Sequence, residues 1–438
     1  MSLSRSRTSR ALAGGLTALA LLTACGGSSG AAGSEGPVTL TYWGWTKGTK
    51  QAVDAYNATH HGITVKFEEI PSGTAGGYAK ISNAVKAGNA PDLVSIEYPT
   101  LPEFVSQGAI QDISRYVTPG LKKQLLPQAV RLTTLGGMSW AVPFDAAPQV
   151  YYYRKDFFTQ HKIKVPRTWD GFRTAATAAK KADPKARLGT FFPDDPTTFE
   201  AMAWQAGAHW FATEGDSWKL TTTDPATRKV TDYWQGLLKD DLVHTHVSFS
   251  PEWTNSLKSG GTVGYLGASW GAGVLKGTLP DQSGKWAAAP VPSWDGKPAS
   301  GMLGGSTTAV TRNSRHTEAA VKFAAWMSTS PKAVEARLSS GQSSPYPAAT
   351  ALRPVARKAF DTRYYGGQDV YALFDDAAAS VNGNWGWGPA TSTTNTTLKD
   401  EFGKVAGGGG GSLAAAVRAG SDATVRELKK RGLKVTGR

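Results

Sequence analysis

The stretch "VTLTYWGW", residues 38–45, has the β-branched and aromatic residues typical of a β-strand. Outward from it, "KQAVDAYNATH" (residues 50–60) has helical periodicity, and "ITVKFEEI" (residues 63–70) predicts a second strand. A second helix, "YAKISNAVKAGN" (residues 78–89), and a third strand, "LVSIEY" (residues 93–98), follow. This order of strands and helices predicts a parallel α/β sheet with right-handed crossovers.

The alternation of strands and helices continues along the chain. "WAVPFDAAPQVYYYRKDFF" (residues 140–158) supplies extended segments, and "TWDGFRTAATAAKKA" (residues 168–182) predicts a helix with Thr168 as its N-cap. "TEAAVKFAAWMSTS" (residues 317–330) repeats apolar residues at i, i+3, i+4 and i+7, which predicts a helix that buries one stripe. The roughly 400 residues after the N-terminal segment are too many for one small core, so we expect two lobes.

The single cysteine of the chain, Cys25, follows a sequence typical of a signal peptide. Residues 1–10 carry three arginines and no acid, and residues 11–24 form an apolar segment too short to span a bilayer as a helix. The stretch "LTAC", residues 22–25, resembles the lipobox of bacterial lipoproteins, whose cysteine is acylated after cleavage. An ordinary secretory signal with an incidental cysteine is the alternative. We predict a lipoprotein signal peptide over residues 1–24, then a lipidated Cys25 and a flexible linker over residues 25–36.

The charge of the chain is strongly basic but dispersed. The formal net charge is +14, of which the three arginines before Cys25 supply +3 and leave +11 on the remainder. Lysines and arginines are mixed with acids, and the densest basic cluster is "LKKRGLK", residues 428–434. This distribution favours attraction to an anionic envelope, or no role for the charge at all, over nucleic-acid binding, so no nucleic-acid partner is predicted.

Tryptophan is frequent, with 15 copies, and several occur at short spacing among turn-forming residues. The two tryptophans at the end of the first strand are two residues apart, so they should point to one face. The stretch "NGNWGWGPA", residues 382–390, predicts an irregular loop that carries two more. Core packing and ligand contact are both open for the tryptophans in such contexts, which are Trp43, Trp45, Trp204, Trp210, Trp270, Trp385 and Trp387.

A sugar ring would suit such tryptophans, because the C–H face of a pyranose lies flat on an indole. The sugar hydroxyls would then need polar partners, and Glu97 at the end of the third strand and Asp145 in "VPFDAAP" are candidates. A nucleobase or a quaternary ammonium group could also stack on these rings. For both acids, a solvated or capping carboxylate is the alternative.

Catalytic and metal motifs are weak. A glycoside hydrolase needs two carboxylates across a cleft, and Glu97 and Asp145 could form such a pair. The chain has no Gly-x-Ser-x-Gly elbow, and "HTH" at residues 244–246 lacks a third ligand nearby. "AGGGGGS", residues 406–412, lacks the Lys-Ser/Thr end of a phosphate-binding loop. We therefore predict no catalytic residue, no metal site and no cofactor.

The chain as a whole resembles the extracellular solute-binding proteins of family 1, the carbohydrate-type receptors of bacterial ABC importers. The resemblance rests on the lipobox, on "VTLTYWGW", "AGNAPDLVSIEY", "VPFDAAPQVYYYRKDFF" and "PRTWDGF", and above all on "GGSTTAVTRNSRHTEAAVKFAAWMSTS" at residues 304–330. These stretches occur in the family's order over nearly the whole chain after the N-terminal segment. The match depends on their order and spacing, since no single motif is specific.

The resemblance implies an α/β, two-lobe, periplasmic-binding-protein-like fold with hinge crossings and a central ligand cleft. Residues 37–143 and 305–360 would form lobe 1, and residues 144–304 and 361–438 would form lobe 2. One hinge crossing would lie near "PFDAAP" and another near "GMLGGS". Ligand binding would close the lobes.

The resemblance also assigns roles to residues. Trp43 and Trp45 would sit at the cleft in lobe 1, Asp145 would hydrogen-bond sugar hydroxyls at a hinge, and Trp270 would stack on a sugar ring from lobe 2. Glu97, at the end of the third strand, is a further candidate ligand-binding residue. Gly305 would let a hinge backbone pass close to the ligand. Positions in the cleft are also expected for Trp204, Trp385 and Trp387.

The family resemblance implies partners and a location as well. We expect a carbohydrate ligand, the transmembrane subunits of an ABC permease as partners, and a monomer tethered by its lipid to the outer face of the bacterial cytoplasmic membrane. Two alternatives stay open at this point. The chain could be a secreted lipoprotein enzyme that acts on glycans, or the same receptor could bind a peptide, a polyol or a polyamine.

Overall fold

Strands and helices alternate along most of the chain in the computed structural model, which describes residues 36–437. The strands are β1 Val38–Gly44, β2 Ile63–Glu69, β3 Leu93–Glu97, β4 Thr134–Leu135, β5 Met138–Ser139, β6 Val142–Pro143, β7 Asp145–Ala146, β8 Gln149–Arg154, β9 Thr190–Phe191, β10 Phe211–Glu214, β11 Ser217–Leu220, β12 His244–Thr245, β13 Gly264–Ala268, β14 Trp286–Pro290, β15 Ser306–Val310, β16 Tyr346–Pro347 and β17 Lys434–Thr436. The helices are α1 Thr49–Asn57, α2 Gly77–Ala87, α3 Leu101–Ser106, α4 Pro119–Gln124, α5 Pro127–Leu132, α6 Lys155–Gln160, α7 Trp169–Ala182, α8 Pro196–Gln205, α9 Pro225–Lys239, α10 Pro251–Ser259, α11 Gly271–Thr278, α12 Thr317–Thr329, α13 Pro331–Leu338, α14 Arg353–Ala359, α15 Val370–Ala379, α16 Thr391–Ala406 and α17 Leu413–Lys430.

The first sheet has five strands in the order β2-β1-β3-β15-β6. β1 pairs in parallel with β2, from Val38 opposite Ile63 to Gly44 opposite Glu69, and in parallel with β3. β15 runs antiparallel to both β3 and β6. The three parallel strands predicted from the sequence are confirmed, and an antiparallel strand that arrives some 200 residues later in the chain extends the sheet.

The two faces of β1 pack against different helices because successive side chains of a strand point to opposite sides. Tyr42 is fully buried, and its ring centroid lies 5.9 Å from that of Phe323 in α12. Trp43 and Trp45 pack on the opposite face, in one apolar cluster with Ile81 of α2. The prediction that these two tryptophans share a face is confirmed.

The two helices predicted farthest along the chain are also confirmed. α7 begins after Thr168, whose hydroxyl accepts a hydrogen bond from the Gly171 N–H at 3.0 Å, as an N-cap does. α12 buries the predicted stripe, which consists of Ala320, Phe323, Ala324 and Met327.

The second sheet is antiparallel, with β8 between β13 and β14. α6 and α15 contact β8 and β14, and α11 contacts β13. A further group of helices packs together, with α8 against α9, α17 against α9, and α16 against both α17 and α8. Trp286, in β14, and two further tryptophans, Trp169 and Trp234, are at most 1% exposed and belong to the hydrophobic core. The alternation of strands and helices in the sequence did not predict this antiparallel sheet, because β13 and β14, which flank β8, come from much later parts of the chain.

Three short segments connect the two sheets. Residues 144–148 lead from β6 to β8, and residues 301–305 lead back from the second sheet to β15. These two run antiparallel and side by side, with Gln149 N–H donating to Gly301 O at 3.0 Å and Leu303 N–H to Ala147 O at 2.9 Å. β16 pairs with β7 as a third segment, which the sequence did not indicate. Among residues 36–437, every helix is too short or too polar to cross a membrane.

Candidate functional site

Asp145 lies on the first connecting segment and is almost fully buried. Its Oδ1 accepts a hydrogen bond from the Ser306 N–H at 2.7 Å, and its backbone carbonyl accepts one from the Tyr98 hydroxyl at 2.8 Å. Burial raises the pKa of the Asp145 carboxyl to about 7, although the guanidinium of Arg337 and the Ser306 N–H act in the opposite direction. The carboxylate thus fastens the first connecting segment to the start of β15, directly after the second connecting segment.

Glu97 occupies the carboxyl end of β3, at the edge where ligands of α/β sheets bind. The Tyr78 hydroxyl donates to its Oε2 at 2.9 Å. Burial raises the pKa of Glu97 to about 7; the Tyr78 hydrogen bond opposes this, and the negative charges of Asp195 and Asp145 add to it. Three carboxylates from different parts of the chain therefore share one region.

The second connecting segment brings Glu97 and Trp270 together. At Gly304 (φ 78°) a Cβ would lie 3.3 Å from Glu97 Oε1 and 3.8 Å from Trp270 Nε1. At the next residue, Gly305 (φ 94°), a Cβ would lie 2.8 Å from the Tyr98 ring. A side chain at either position would meet both steric crowding and an unfavourable backbone conformation. The two glycines let the backbone pass between groups from both sheets.

Trp270 follows β13 and is half-buried. Its indole N–H donates to the carbonyl of Leu303 at 2.9 Å, which fixes the ring against the second connecting segment. The ring packs on a small cluster of apolar residues, Ala147, Ala201, Ala268 and Leu303. The hydrogen bond and the small neighbours orient the ring at the meeting point of the two sheets.

Trp43 and Trp45 are half-buried at the end of β1. The Trp45 ring meets the Tyr78 ring edge to face, with centroids 5.5 Å apart, and Tyr78 in turn bonds Glu97. Lys80 Nζ lies 4.4 Å from the centroid of the Trp43 ring. Trp45 is thus connected to Glu97 through one intervening residue, whereas Trp43 lies farther out, beneath a lysine.

Two acids at α8 join this region, and the sequence analysis missed both. Asp195 accepts hydrogen bonds from the hydroxyls of Thr197 and Thr198. Glu200 is 1% exposed, and its Oε2 has no hydrogen-bond partner within the described residues. Burial, with the charge of Asp195, raises the pKa of Glu200 well above its usual range. The "DDP" before α8 resembles a helix start and could have indicated Asp195, whereas no local signal points to Glu200.

Trp204, Trp385 and Trp387 form a buried stack of aromatic rings. The rings of Trp204 and Trp385 are nearly parallel, at 8°, with centroids 5.5 Å apart, and Trp387 meets Trp385 edge to face at 5.2 Å. The Trp204 indole N–H donates to the Asn382 carbonyl at 2.6 Å. None of the three is more than 6% exposed, and each contacts other tryptophans of the set.

The arrangement near Gly304 offers hydrogen-bond acceptors beside aromatic rings. In residues 36–437, no group of three or more His, Cys, Asp or Glu side chains is placed to hold a metal ion. Carboxylates that are shielded from water accept strong hydrogen bonds from hydroxyl groups, and indole faces bind apolar C–H surfaces. Cys25, the predicted lipidation site, lies outside the described residues.

Comparison with known proteins gives a consistent result. A family model described as "Bacterial extracellular solute-binding protein" matches residues 42–334. The chain is 27% identical to a lactose-binding protein of Rhizobium radiobacter over 72% of this chain and 74% of that one. It is 24% identical to an arabinooligosaccharide-binding protein of Bacillus subtilis (strain 168) over 67% of this chain and 70% of that one.

Solved structures show the same similarity. The galacto-N-biose-/lacto-N-biose I-binding protein of the ABC transporter from Bifidobacterium longum, in complex with lacto-N-biose, aligns with a TM-score of 0.82 at 27% identity, over 92% of this chain and all of that one. An ABC transporter associated binding protein from B. animalis subsp. lactis Bl-04, in complex with β-1,6-galactobiose, also aligns with a TM-score of 0.82, at 25% identity, over 91% of this chain and all of that one. The predicted two-lobe α/β fold is confirmed.

Proposed function

The chain belongs to the bacterial extracellular solute-binding proteins, and from this membership we propose that it captures a sugar or oligosaccharide between its two lobes and delivers it to the permease of an ABC importer. The observation that carries the proposal is the meeting of Glu97 and Trp270 at Gly304, where the chain passes from one sheet to the other. The names of its relatives, for lactose, arabino-oligosaccharides and lacto-N-biose, support a carbohydrate ligand.

The chemistry of this region suits a polyhydroxylated ring. Glu97 Oε2 is bonded to Tyr78, while Oε1 lies beside Gly304 on the side of Trp270 and can accept from a sugar hydroxyl. A hydrogen bond to a charged acceptor, as Glu97 is above its pKa of about 7, contributes about 1.5 to 3 kcal/mol. Stacking on an aromatic ring adds about 0.5 to 1.5 kcal/mol beyond area burial. A few such contacts suffice for micromolar affinity, near about −8 kcal/mol.

Six of the residues singled out in the sequence form the site in this proposal, and three do not. The three that do not are Trp204, Trp385 and Trp387 of the buried stack, which contact one another and stabilise the fold in this proposal. Lobe 1 would comprise residues 37–143 and 305–360, and lobe 2 residues 144–304 and 361–438. The proposed ligand-binding residues are Trp43, Trp45, Glu97, Asp145, Trp270 and Gly305.

Closure of the lobes would report ligand binding to the permease, because the ligand binds the closed state better than the open one. Contacts between elements of the two sheets support a closed arrangement. Glu103 of α3, beside the first sheet, accepts from the Ser392 N–H of α16 at 2.7 Å, and the Thr391 hydroxyl donates to the Pro99 carbonyl at 2.8 Å. Glu103 is 4% exposed, so this contact is shielded from water.

Attachment to the membrane completes the proposal. Acylation of Cys25 after removal of residues 1–24 would hold the receptor at the outer face of the cytoplasmic membrane. Two acyl chains anchor a protein stably where a single chain is marginal. The Gly/Ser-rich composition of residues 26–36 would give the receptor reach toward the permease.

The test is calorimetric titration of residues 26–438 with a panel of sugars that includes galactose, lactose, β-1,6-galactobiose and arabino-oligosaccharides. We expect saturable binding of at least one sugar. Glu97→Gln should weaken it at least about tenfold, which is about 1.4 kcal/mol. The matched control is Glu318→Gln, which removes an exposed carboxylate paired with Lys322 on α12 and should leave affinity unchanged.

The same samples separate a receptor from a glycan-active enzyme. A receptor returns the bound sugar intact, whereas an enzyme that used Glu97 and Asp145 would shorten it. Chromatography of each sugar after long incubation measures this directly. If a sugar is consumed by the unaltered chain but not by Asp145→Asn, the protein is a glycan-active enzyme and the receptor proposal is wrong. If no sugar binds, carbohydrate is not the ligand class, although the fold is unaffected.

A further inference from the structure

Phe249 is an exposed aromatic residue beside the proposed site. Its ring centroid lies 6.0 Å from that of Trp270 and 5.4 Å from that of Trp253. Phe249 is 52% exposed, although most large apolar side chains of the described chain are buried. Single exposed apolar side chains are common on protein surfaces, so it is the position of this ring beside Trp270 that makes it a candidate ligand contact.

The backbone of Phe249 is also unusual. Its φ is 57°, in the left-handed region that bulky side chains seldom adopt. Such a conformation is unfavourable and persists only where the neighbouring structure holds it, which occurs most often at functional sites.

Hydrogen bonds on both sides hold this turn. The N–H and the hydroxyl of Ser248 both donate to the carboxylate of Asp194, at 2.8 and 2.6 Å. On the other side, the Ser250 N–H donates to the Val247 carbonyl at 3.2 Å. The Ser250 hydroxyl caps α10 by accepting from the Trp253 N–H at 3.2 Å. The turn is therefore fixed to the segment before α8 and to the start of α10.

We propose that Phe249 forms an outer aromatic subsite, next to Trp270, that contacts a second ring of an oligosaccharide. The inference rests on the proposed function and narrows its ligand to chains of at least two sugar rings. A single ring on Trp270 would leave most of the Phe249 ring in water. A second ring would cover it, and burial of that apolar surface would stabilise the longer ligand alone.

The test compares ligand lengths in one protein. Phe249→Ala keeps a Cβ and therefore the strained turn, while it removes the ring. With β-1,6-galactobiose or the tightest-binding disaccharide of the panel, we expect affinity to fall about fivefold to tenfold. With the component monosaccharide, the change should stay below about twofold. Phe249→Tyr should keep the affinity for the disaccharide.

Two further variants separate a ligand contact from a structural role. Val247→Ala alters an apolar residue of the same turn that is 56% exposed, and it should change neither affinity. Phe249→Gly should raise the melting temperature, since glycine tolerates a positive φ, and should still weaken binding of the disaccharide.

Three results would overturn the inference: equal losses for both ligand lengths in Phe249→Ala, no loss for either, or a native ligand that is a monosaccharide. These differ from failure of the proposed function, in which the unaltered chain binds no sugar of any length.

Discussion

The tryptophans near Gly304 and those of the buried stack occur in similar sequence contexts and have different surroundings. Trp45 and Trp270 are half-buried, beside the carboxylate of Glu97 or the tyrosine that bonds it. Trp204 and Trp385 are at most 1% exposed and are covered by each other and by further aromatic rings. Both sets lie near turns, and what separates them here is that the candidate binding residues are half-buried near a carboxylate, whereas the stack is covered by other aromatic rings.

The residues of the buried stack also hold neighbouring segments together, which explains why their rings are buried. The Trp385 carbonyl accepts a hydrogen bond from Arg131 Nη1 of α5 at 2.8 Å, and the Trp204 N–H bonds Asn382. These hydrogen bonds attach the irregular loop before α16 to α8 and to α5. A loop rich in glycine needs such contacts to hold one conformation.

The largest effect should come from the stack. Trp385→Ala removes a fully buried ring and leaves a cavity, so we expect the free energy of unfolding to fall by about 3 to 5 kcal/mol. Urea unfolding with tryptophan fluorescence or circular dichroism measures it. The matched control is Trp270→Ala, in which a half-buried ring is lost and the decrease should be clearly smaller. Lost sugar affinity with unchanged stability in Trp385→Ala would instead make the stack part of the ligand site, as the sequence first suggested.

The second-largest effect is on sugar affinity, for which the residues near Gly304 should matter more than the buried stack. Trp270→Ala should weaken sugar binding at least about tenfold, or about 1.4 kcal/mol, because the stacking surface for the sugar ring disappears. Trp270→Phe keeps a smaller aromatic face and should lose less. Calorimetric titration measures both, and far-ultraviolet circular dichroism checks that the fold is intact. An unchanged dissociation constant in Trp270→Ala would remove this residue from the site.

Local patterns predicted the parts of the fold that depend on local contacts. The three parallel strands, the Thr168 cap and the buried stripe of α12 all follow from spacing along the chain. The antiparallel position of β15 and the pairing of β16 with β7 join segments about 200 residues apart, and spacing carries no information about such pairs.

The candidate site shows the same division. Glu97 is a prediction from its position at the end of the third strand, and the role of Asp145 is a prediction from the family resemblance. Glu200 lies within a helix whose residues are nearly all buried, so its sequence context looks like core. Phe249 is recognisable only by its exposure and its φ, which are properties of the folded chain.

The smallest expected effect is a difference between the two regions in how the free energy of unfolding depends on pH. Burial raises the pKa of Glu97 and of Asp145 to about 7 from ordinary values of 4.5 and 3.8. The folded chain therefore binds more protons than the unfolded chain between those values and about 7, so the free energy of unfolding should fall as pH rises through this window. Urea unfolding of the ligand-free protein at several pH values between about 5 and 8 measures the slope. The pKa of Glu200 is raised as well, so Glu97→Gln removes one of several contributing groups and should flatten the slope in part. Trp385→Ala removes no charge and should lower the curve without changing its slope. If Glu97→Gln leaves the slope of the unfolding free energy against pH unchanged, Glu97 is ionised in the empty site. The pH dependence of stability would then not distinguish the candidate site from the buried stack.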